Sequence, residues 1–123
     1  MKIKLVLKCR PISKDNIKTI SRSGTAHYYL PKKYKDFEQD LAWQIRVQYK
    51  GRQLEGKLRI NYLRFYYDYR PTIVDLLNAP KSVMDAVEKS GIIYNDNQIW
   101  EVNNMAKFQD KTNPRIEMEI EEV

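Results

Sequence analysis

Apolar and polar residues alternate from Lys2 to Lys8, with Ile3, Leu5 and Leu7 on one side and mostly lysine on the other. A period of two predicts a strand with one buried face. Residues 11 to 29 show no period; they carry Lys14, Lys18, Arg22, Ser23 and Gly24 and read as a mobile basic loop. Pro31 then opens a helical pattern in which Tyr34, Phe37, Leu41 and Ile45 recur at three- and four-residue spacing, up to a break at Gly51. After Gly56 comes a long aromatic strand, Leu58 to Tyr67. Its alternation slips near Tyr62 and Leu63, which calls for a bulge or for burial on both faces.

Beyond Arg70-Pro71 a second helix is predicted from about Ala79 to Lys89, with Asn78 as N-cap and Pro80 in the first turn. Val83, Met84 and Val87 supply its buried stripe, and Gly91 its stop. A short apolar run, Ile92 to Tyr94, precedes the polar turn Asn95-Asp96-Asn97. Ile99 to Lys107 and Arg115 to Glu121 read as paired strands joined by a polar turn containing Asn113-Pro114. The order strand-helix-strand-helix-strand-strand predicts an α+β fold: a small mixed β-sheet with two main helices, in a single domain over residues 1–123.

Charge sharpens this picture. The net charge of +6 suggests a polyanionic partner, and its distribution is uneven. Residues 1 to 70 hold 17 Lys and Arg against 6 acids, whereas residues 71 to 123 hold 5 against 10. That division fits a phosphate-binding surface beside a carboxylate cluster, and it fits scattered solubilising charge equally well. The single cysteine, Cys9, excludes an internal disulfide framework and a cysteine-rich zinc site; it reads as a small strand-end residue rather than a nucleophile. No apolar run is long enough to cross a bilayer, and Met1 to Leu7 lacks the apolar core of a secretory signal, so a cytoplasmic setting is expected.

The acidic half offers candidate chemistry. Asp75 lies just before the second helix, Asp85 inside it and Asp96 in the turn beyond, while Lys81 shares a helix face with Asp85 at four-residue spacing. Carboxylates of this kind hold Mg²⁺ together with water and phosphate oxygens. Such an ion activates water and polarises a phosphodiester, and a lysine alongside offsets the developing charge. By spacing alone, an ordinary charged helix surface accounts for the same residues better than a metal site does.

The whole segment is more specific. Arg70-Pro71 is followed by Asp75-Leu76-Leu77-Asn78, Lys81, Asp85-Ala86-Val87, Gly91-Ile92-Ile93-Tyr94-Asn95-Asp96-Asn97-Gln98-Ile99 and Glu101. This block resembles the signature of the RusA family of Holliday junction resolvases. Upstream, Tyr29-Leu30-Pro31-Lys32-Lys33-Tyr34 with Phe37-Glu38 is similar to the family's entry into its first helix. The resemblance implies a homodimeric, Mg²⁺- or Mn²⁺-dependent endonuclease that makes paired cuts in branched double-stranded DNA. It puts the catalytic roles on Asp75, Lys81 and Asp96, and the metal on Asp75 and Asp96. Leu77 stands where the family's second aspartate is expected, and Asn95 replaces the first acid of the turn. Asp85 matches another family position, and we expect it to converge with Asp75 and Asp96 as a third metal ligand.

Lys14, Lys18, Arg22, Lys32, Lys33 and Arg70 are the candidate phosphate contacts. His27, the one histidine, reads as a surface or DNA-contacting residue rather than a ligand. Among Tyr62, Phe65, Tyr66, Tyr67 and Tyr69, most are expected in the core, with one or two on an outer face able to stack on bases. Trp43 and Trp100 are expected to pack. Two rival readings stand beside the nuclease: a junction-binding module that cuts poorly or not at all because of Leu77, and a structural protein whose acidic block is surface only.

Overall fold

The computed structural model describes residues 1–12, 18–20, 26–28 and 32–123. Strand β1 spans Lys2–Lys8, the short strands β2 Lys18–Ile20 and β3 Ala26–Tyr28, helix α1 Lys32–Gln48 and strand β4 Leu58–Tyr67. Helix α2 follows at Pro80–Ser90, then β5 Ile99–Val102, β6 Met105–Gln109 and β7 Arg115–Glu122. The fold is α+β. One mixed sheet runs β1-β7-β4-β5, with β6 also paired to β4. Within the segment expected to be a basic loop, β2 and β3 pair antiparallel as a separate two-stranded ribbon. Lys14 and Arg22 lie outside the described residues, as do the side chains of Lys18 and His27.

β7 sits between β1 and β4, antiparallel to both, and its inward residues order the core in rows. Ile3, Ile120 and Ile60 form one row, Leu5, Met118 and Leu63 the next, and Leu7, Ile116 and Phe65 the third; all nine are buried. Cross-strand apolar pairs of this kind are the stabilising unit of a sheet. Leu41 and Ile45 of α1, with Val83, Ala86 and Val87 of α2, close over that face. The slip in the β4 pattern is a bulge: Ile60 pairs with Ile120 and Tyr62 with Glu119, leaving Asn61 extra. The additional residue shifts the period of two by one, so Leu58 and Ile60 before it and Leu63, Phe65 and Tyr67 after it all point inward.

Three expectations need correction. The strands at 99–107 and 115–121 do not pair with each other. Their chain breaks at Asn103-Asn104, with Asn104 at φ 52°, and both β5 and β6 instead run parallel to β4 on the edge away from β7. Asn78 does not cap α2, because the chain is already helical at Ala79 and the Asn78 amide donates to Asp75 Oδ2 instead. Trp43 and Trp100 do not pack inward. Trp43 is off the Leu41–Ile45 stripe and 66% exposed; Trp100, on edge strand β5, is 73% exposed with the Lys57 ammonium 4.9 Å above its ring. Gly91 does end α2, at φ 83°.

The outer sheet face interleaves the two charged halves of the chain. Register sets Lys2 and Arg59 beside Glu121, Lys4 and Tyr62 beside Glu119, and Arg64 beside Glu117. Arg59 Nη2 lies 2.7 Å from Glu121 and Arg115 Nε 2.8 Å from Glu117. The aromatic residues divide as expected: Phe65 and Tyr67 are buried. On the outer face Tyr66 stacks on Phe108 at 5.0 Å under the Arg115 guanidinium, and Arg64 lies over Tyr62.

β1 forms one edge of the sheet, and α1 closes it with two amides. Gln44 accepts from the Lys8 N–H at 2.9 Å and donates to the Lys8 carbonyl at 2.8 Å; Gln48 does the same for Val6 at 3.0 and 2.8 Å. Each amide takes the place of a neighbouring strand, which shields an edge otherwise open to pairing. The double variant Gln44→Ala/Gln48→Ala is expected to lose about 2 kcal/mol in a urea titration, at roughly 1 kcal/mol per side chain. It should also self-associate in sedimentation; unchanged stability with a clean monomer–dimer profile would count against the edge-closing role.

Cys9 ends β1 half-buried, its Sγ 3.6 Å from the Leu7 carbonyl, and burial together with the nearby Asp40 charge pushes its pKa up to about 12. The thiol is therefore neutral at physiological pH and a poor nucleophile. Because the folded value lies above the ordinary 9.0, the stability tied to this thiol is complete below pH 9 and is lost as pH rises toward 12. Native protein at pH 8 should resist a disulfide-exchange reagent that labels the unfolded chain at once, and Cys9→Ala should flatten the alkaline fall in stability.

Candidate active site

β4 and its parallel partners β5 and β6 are joined through α2, and the candidate catalytic residues all lie on that connection. Asp75 follows a 3-10 turn at Pro71–Ile73 and is held in a turn of its own. Its Oδ1 accepts the Leu77 N–H at 3.0 Å and its Oδ2 the Asn78 amide at 2.9 Å. An aspartate that bonds the backbone two residues on is a standard turn device, and each oxygen keeps a further lone pair. Lys107 secures the approach to this turn: its Nζ donates to the Pro71 and Val74 carbonyls, both at 2.8 Å. Lys107 is level with buried Phe65 in the β4–β6 ladder and so projects from the inward face of the sheet.

Asp96 begins a second 3-10 turn, Asp96–Gln98, which is bonded on three sides. Asn95 Oδ1 accepts the Asn97 N–H at 2.9 Å. Gln98 Oε1 accepts the N–H groups of Tyr94 and Asn95, while its Nε2 donates to the Leu54 and Gly56 carbonyls. From α2, Glu88 Oε2 accepts the Asp96 N–H at 3.1 Å. The Asp96 carboxylate itself is exposed. Asn95 thus does the capping that an aspartate would do there, and the turn survives the departure from the family pattern.

Pro80, Met84 and Glu88 form a row at four-residue spacing along α2, and Asp96 lies beside it. Pro80, Met84 and Asp96 share an open pocket of about 270 Å³ with Leu63, Ile99, Val102 and Met105. Lys81, exposed, is the residue after Pro80. Asp85, half-buried, follows Met84 and is turned about 100° around the helix from that row. Among the described residues, no group of three or more His, Cys, Asp and Glu side chains is arranged to hold a metal ion. Asp75, Asp85 and Asp96 do not form such a group among the described residues. Three local structures place them: a turn ahead of α2, a neighbouring row on it, and a turn bonded near its far end. Leu77 is 81% exposed, so packing does not explain its apolar side chain, although its N–H still anchors Asp75.

Of the proposed phosphate contacts, Lys32, Lys33 and Arg70 are exposed. The first turn of α1 holds Lys32, Lys33 and Lys35 and no acid. Glu88 and Lys107 escaped the sequence reading, and Gln98 entered it only as part of the motif. A lysine within the apolar run Met105-Ala106-Lys107-Phe108 was the available signal for Lys107; nothing singled out Glu88.

Asp75 and Asp96 thus sit in the turns at the two ends of one crossover helix, with Asp96 lining an open pocket, on a chain of net charge +6. Residues 8–121 match the family described as Endodeoxyribonuclease RusA, a class of DNA endonucleases. The chain belongs to that family, with the match covering nearly its whole length. It is also similar to the crossover junction endodeoxyribonuclease RusA of Aquifex aeolicus (strain VF5). The identity is 29% over 107 residues, covering 87% of this chain and 82% of that protein. No helix among the described residues is long and apolar enough to cross a membrane.

The Glu88–Asp96 bond yields a test of positioning. Glu88→Ala should slow single-turnover cutting roughly tenfold, the effect of one hydrogen bond to a charged group. Glu88→Gln, which keeps an acceptor oxygen, should restore most of the rate, and both should bind DNA as the parent does. Equal rates for all three proteins would remove Glu88 from the site.

Proposed function

We propose that this chain resolves four-way DNA junctions as a homodimer, each protomer hydrolysing one phosphodiester with Mg²⁺, or Mn²⁺ in its place. The observation that carries the reading is the crossover itself: Asp75 is held in the turn that enters α2, and Asp96 is held in the turn that leaves it, lining an open pocket. Both offer hard oxygen donors, and the Asp75 oxygens retain lone pairs beyond their turn bonds, so the pair suits a cation that keeps several waters. When bound, such an ion supplies Lewis-acid polarisation of the phosphate and an activated water. Asp75 and Asp96 orient it, and the Lys81 ammonium offsets charge building on the phosphate oxygens. Asp85, four residues beyond Lys81 along the neighbouring row, is the helper carboxylate in this reading.

Lys32 and Lys33, with Lys35, crowd the positive end of the α1 dipole, an arrangement unfavourable within the protein and favourable to a phosphate. Together with Arg70, Lys14, Lys18 and Arg22 they form the proposed contacts to the DNA backbone. A junction has near-twofold symmetry, and a C₂ dimer presents two equivalent sites to two equivalent strands.

The experiment is a mobile four-way junction labelled in each arm and incubated with Mg²⁺, Mn²⁺ or EDTA. Expected are metal-dependent, symmetric, ligatable cuts, and binding in EDTA that weakens steeply with salt as counterions are released. Asp96→Asn should abolish cutting with binding kept, and Lys81→Ala should slow it about a hundredfold, the worth of one charge-stabilising contact. Tight binding with no cutting in any metal would select the junction-binding module, for which exposed Leu77 in place of an acid is the specific observation. Indifference to salt would overturn the phosphate surface.

A further inference from the structure

The pocket that Asp96 shares with Leu63, Pro80, Met84, Ile99, Val102 and Met105 has no place in hydrolysis as set out above. Its lining is apolar apart from Asp96. Its walls are firmly set. Asn103 N–H donates to the Ile60 carbonyl and the Asn104 amide to the Asn61 carbonyl, fixing the turn between Val102 and Met105. Glu88 fixes the Asp96 wall. A preformed apolar recess beside a catalytic carboxylate wants a flat apolar ligand attached to the reacting group. In a DNA endonuclease, the nearest such group to the scissile phosphate is a base of the same strand.

We propose that this pocket receives an unstacked nucleobase adjoining the scissile phosphate, and that Met84 and Met105 are its principal contacts; the inference rests on the junction-cutting reading. Thioethers make favourable contacts with aromatic ring edges and adapt to rings of different size, so the pocket grips a base by shape. With Asp96 as the one polar group in its wall, it supplies little hydrogen-bond readout and tolerates more than one base. Unstacking is least costly where base pairs already meet imperfectly, as at the crossing point of a branched duplex. A pocket that demands an unstacked base therefore favours branched over continuous DNA, with selectivity added at the chemical step rather than in binding.

The test uses junctions carrying the fluorescent base 2-aminopurine at single positions around each cut site, bound in EDTA so that no cutting occurs. One position flanking the scissile phosphate should brighten several-fold, and the others should not. Met84→Trp, which fills the pocket, should remove that signal and slow single-turnover cutting roughly tenfold or more, with junction affinity nearly unchanged. Val102→Trp, at a rim residue that is 46% exposed and so tolerant of replacement, is the second variant should the first fail to fold. A folded pocket-filling variant that cuts at the parent rate, or the absence of any brightened position in a bound junction, overturns the base pocket and leaves the nuclease reading intact. A parent protein that neither binds nor cuts the junction overturns both.

Discussion

Parallel strands cannot be joined by a turn. Because β5 and β6 run parallel to β4, the chain between them must leave the sheet, cross its face and return, and that journey occupies residues 68–98. Asp75, Lys81, Asp85, Leu77 and Asp96 all lie on it. The site is thus a by-product of strand direction: the crossover helix sits over the inward face, and the two turns at its ends present carboxylates along that helix. Lys107 and Glu88 then do opposite jobs. Lys107 reaches from the sheet to the turn that enters the crossover, and Glu88 reaches from the helix to the turn that leaves it.

The charge of the chain is resolved by the same pairing. In sequence, a basic front half and an acidic back half suggest two separate surfaces. In three dimensions β7, the most acidic strand, lies between β1 and β4, and Arg59, Arg64 and Arg115 are spent on Glu117 and Glu121. The Arg115 guanidinium also holds the Asp110 carboxyl below its usual range. Those half-buried surface pairs contribute modest stability individually. Their effect is on the map of charge: acids of β7 are neutralised locally, while the lysines at the start of α1 stand exposed with no acid in the same turn.

Much of this was readable in advance where the cause is local. The burial rhythm of β1, the slip in β4, the stop at Gly91 and the phase of β7 follow from side-chain period and backbone preference, and the structure has all four. What failed was non-local. Strand partnership is decided by where a crossover returns, and residues 99–109 look the same whether they pair with β7 or with β4. Asn78 has the chemistry of an N-cap, yet the Asp75 turn claims its amide first. The motif placed Asp75, Lys81 and Asp96 on one crossover but said nothing of the turns that hold the two acids at its ends. Glu88 was invisible because its partner is a backbone N–H, which no side-chain pattern records.

The bulge at Asn61 also governs how the gene tolerates change. Most positions of β4 face a choice of residue, and a poor choice costs one contact. Asn61 instead is the residue the β4–β7 ladder skips. Removing that single codon in frame would close the bulge and leave Leu58, Ile60, Leu63, Phe65 and Tyr67 in one unbroken inward alternation. Length is more forgiving at this point than elsewhere in the strand, where a lost residue turns its neighbours to the opposite face.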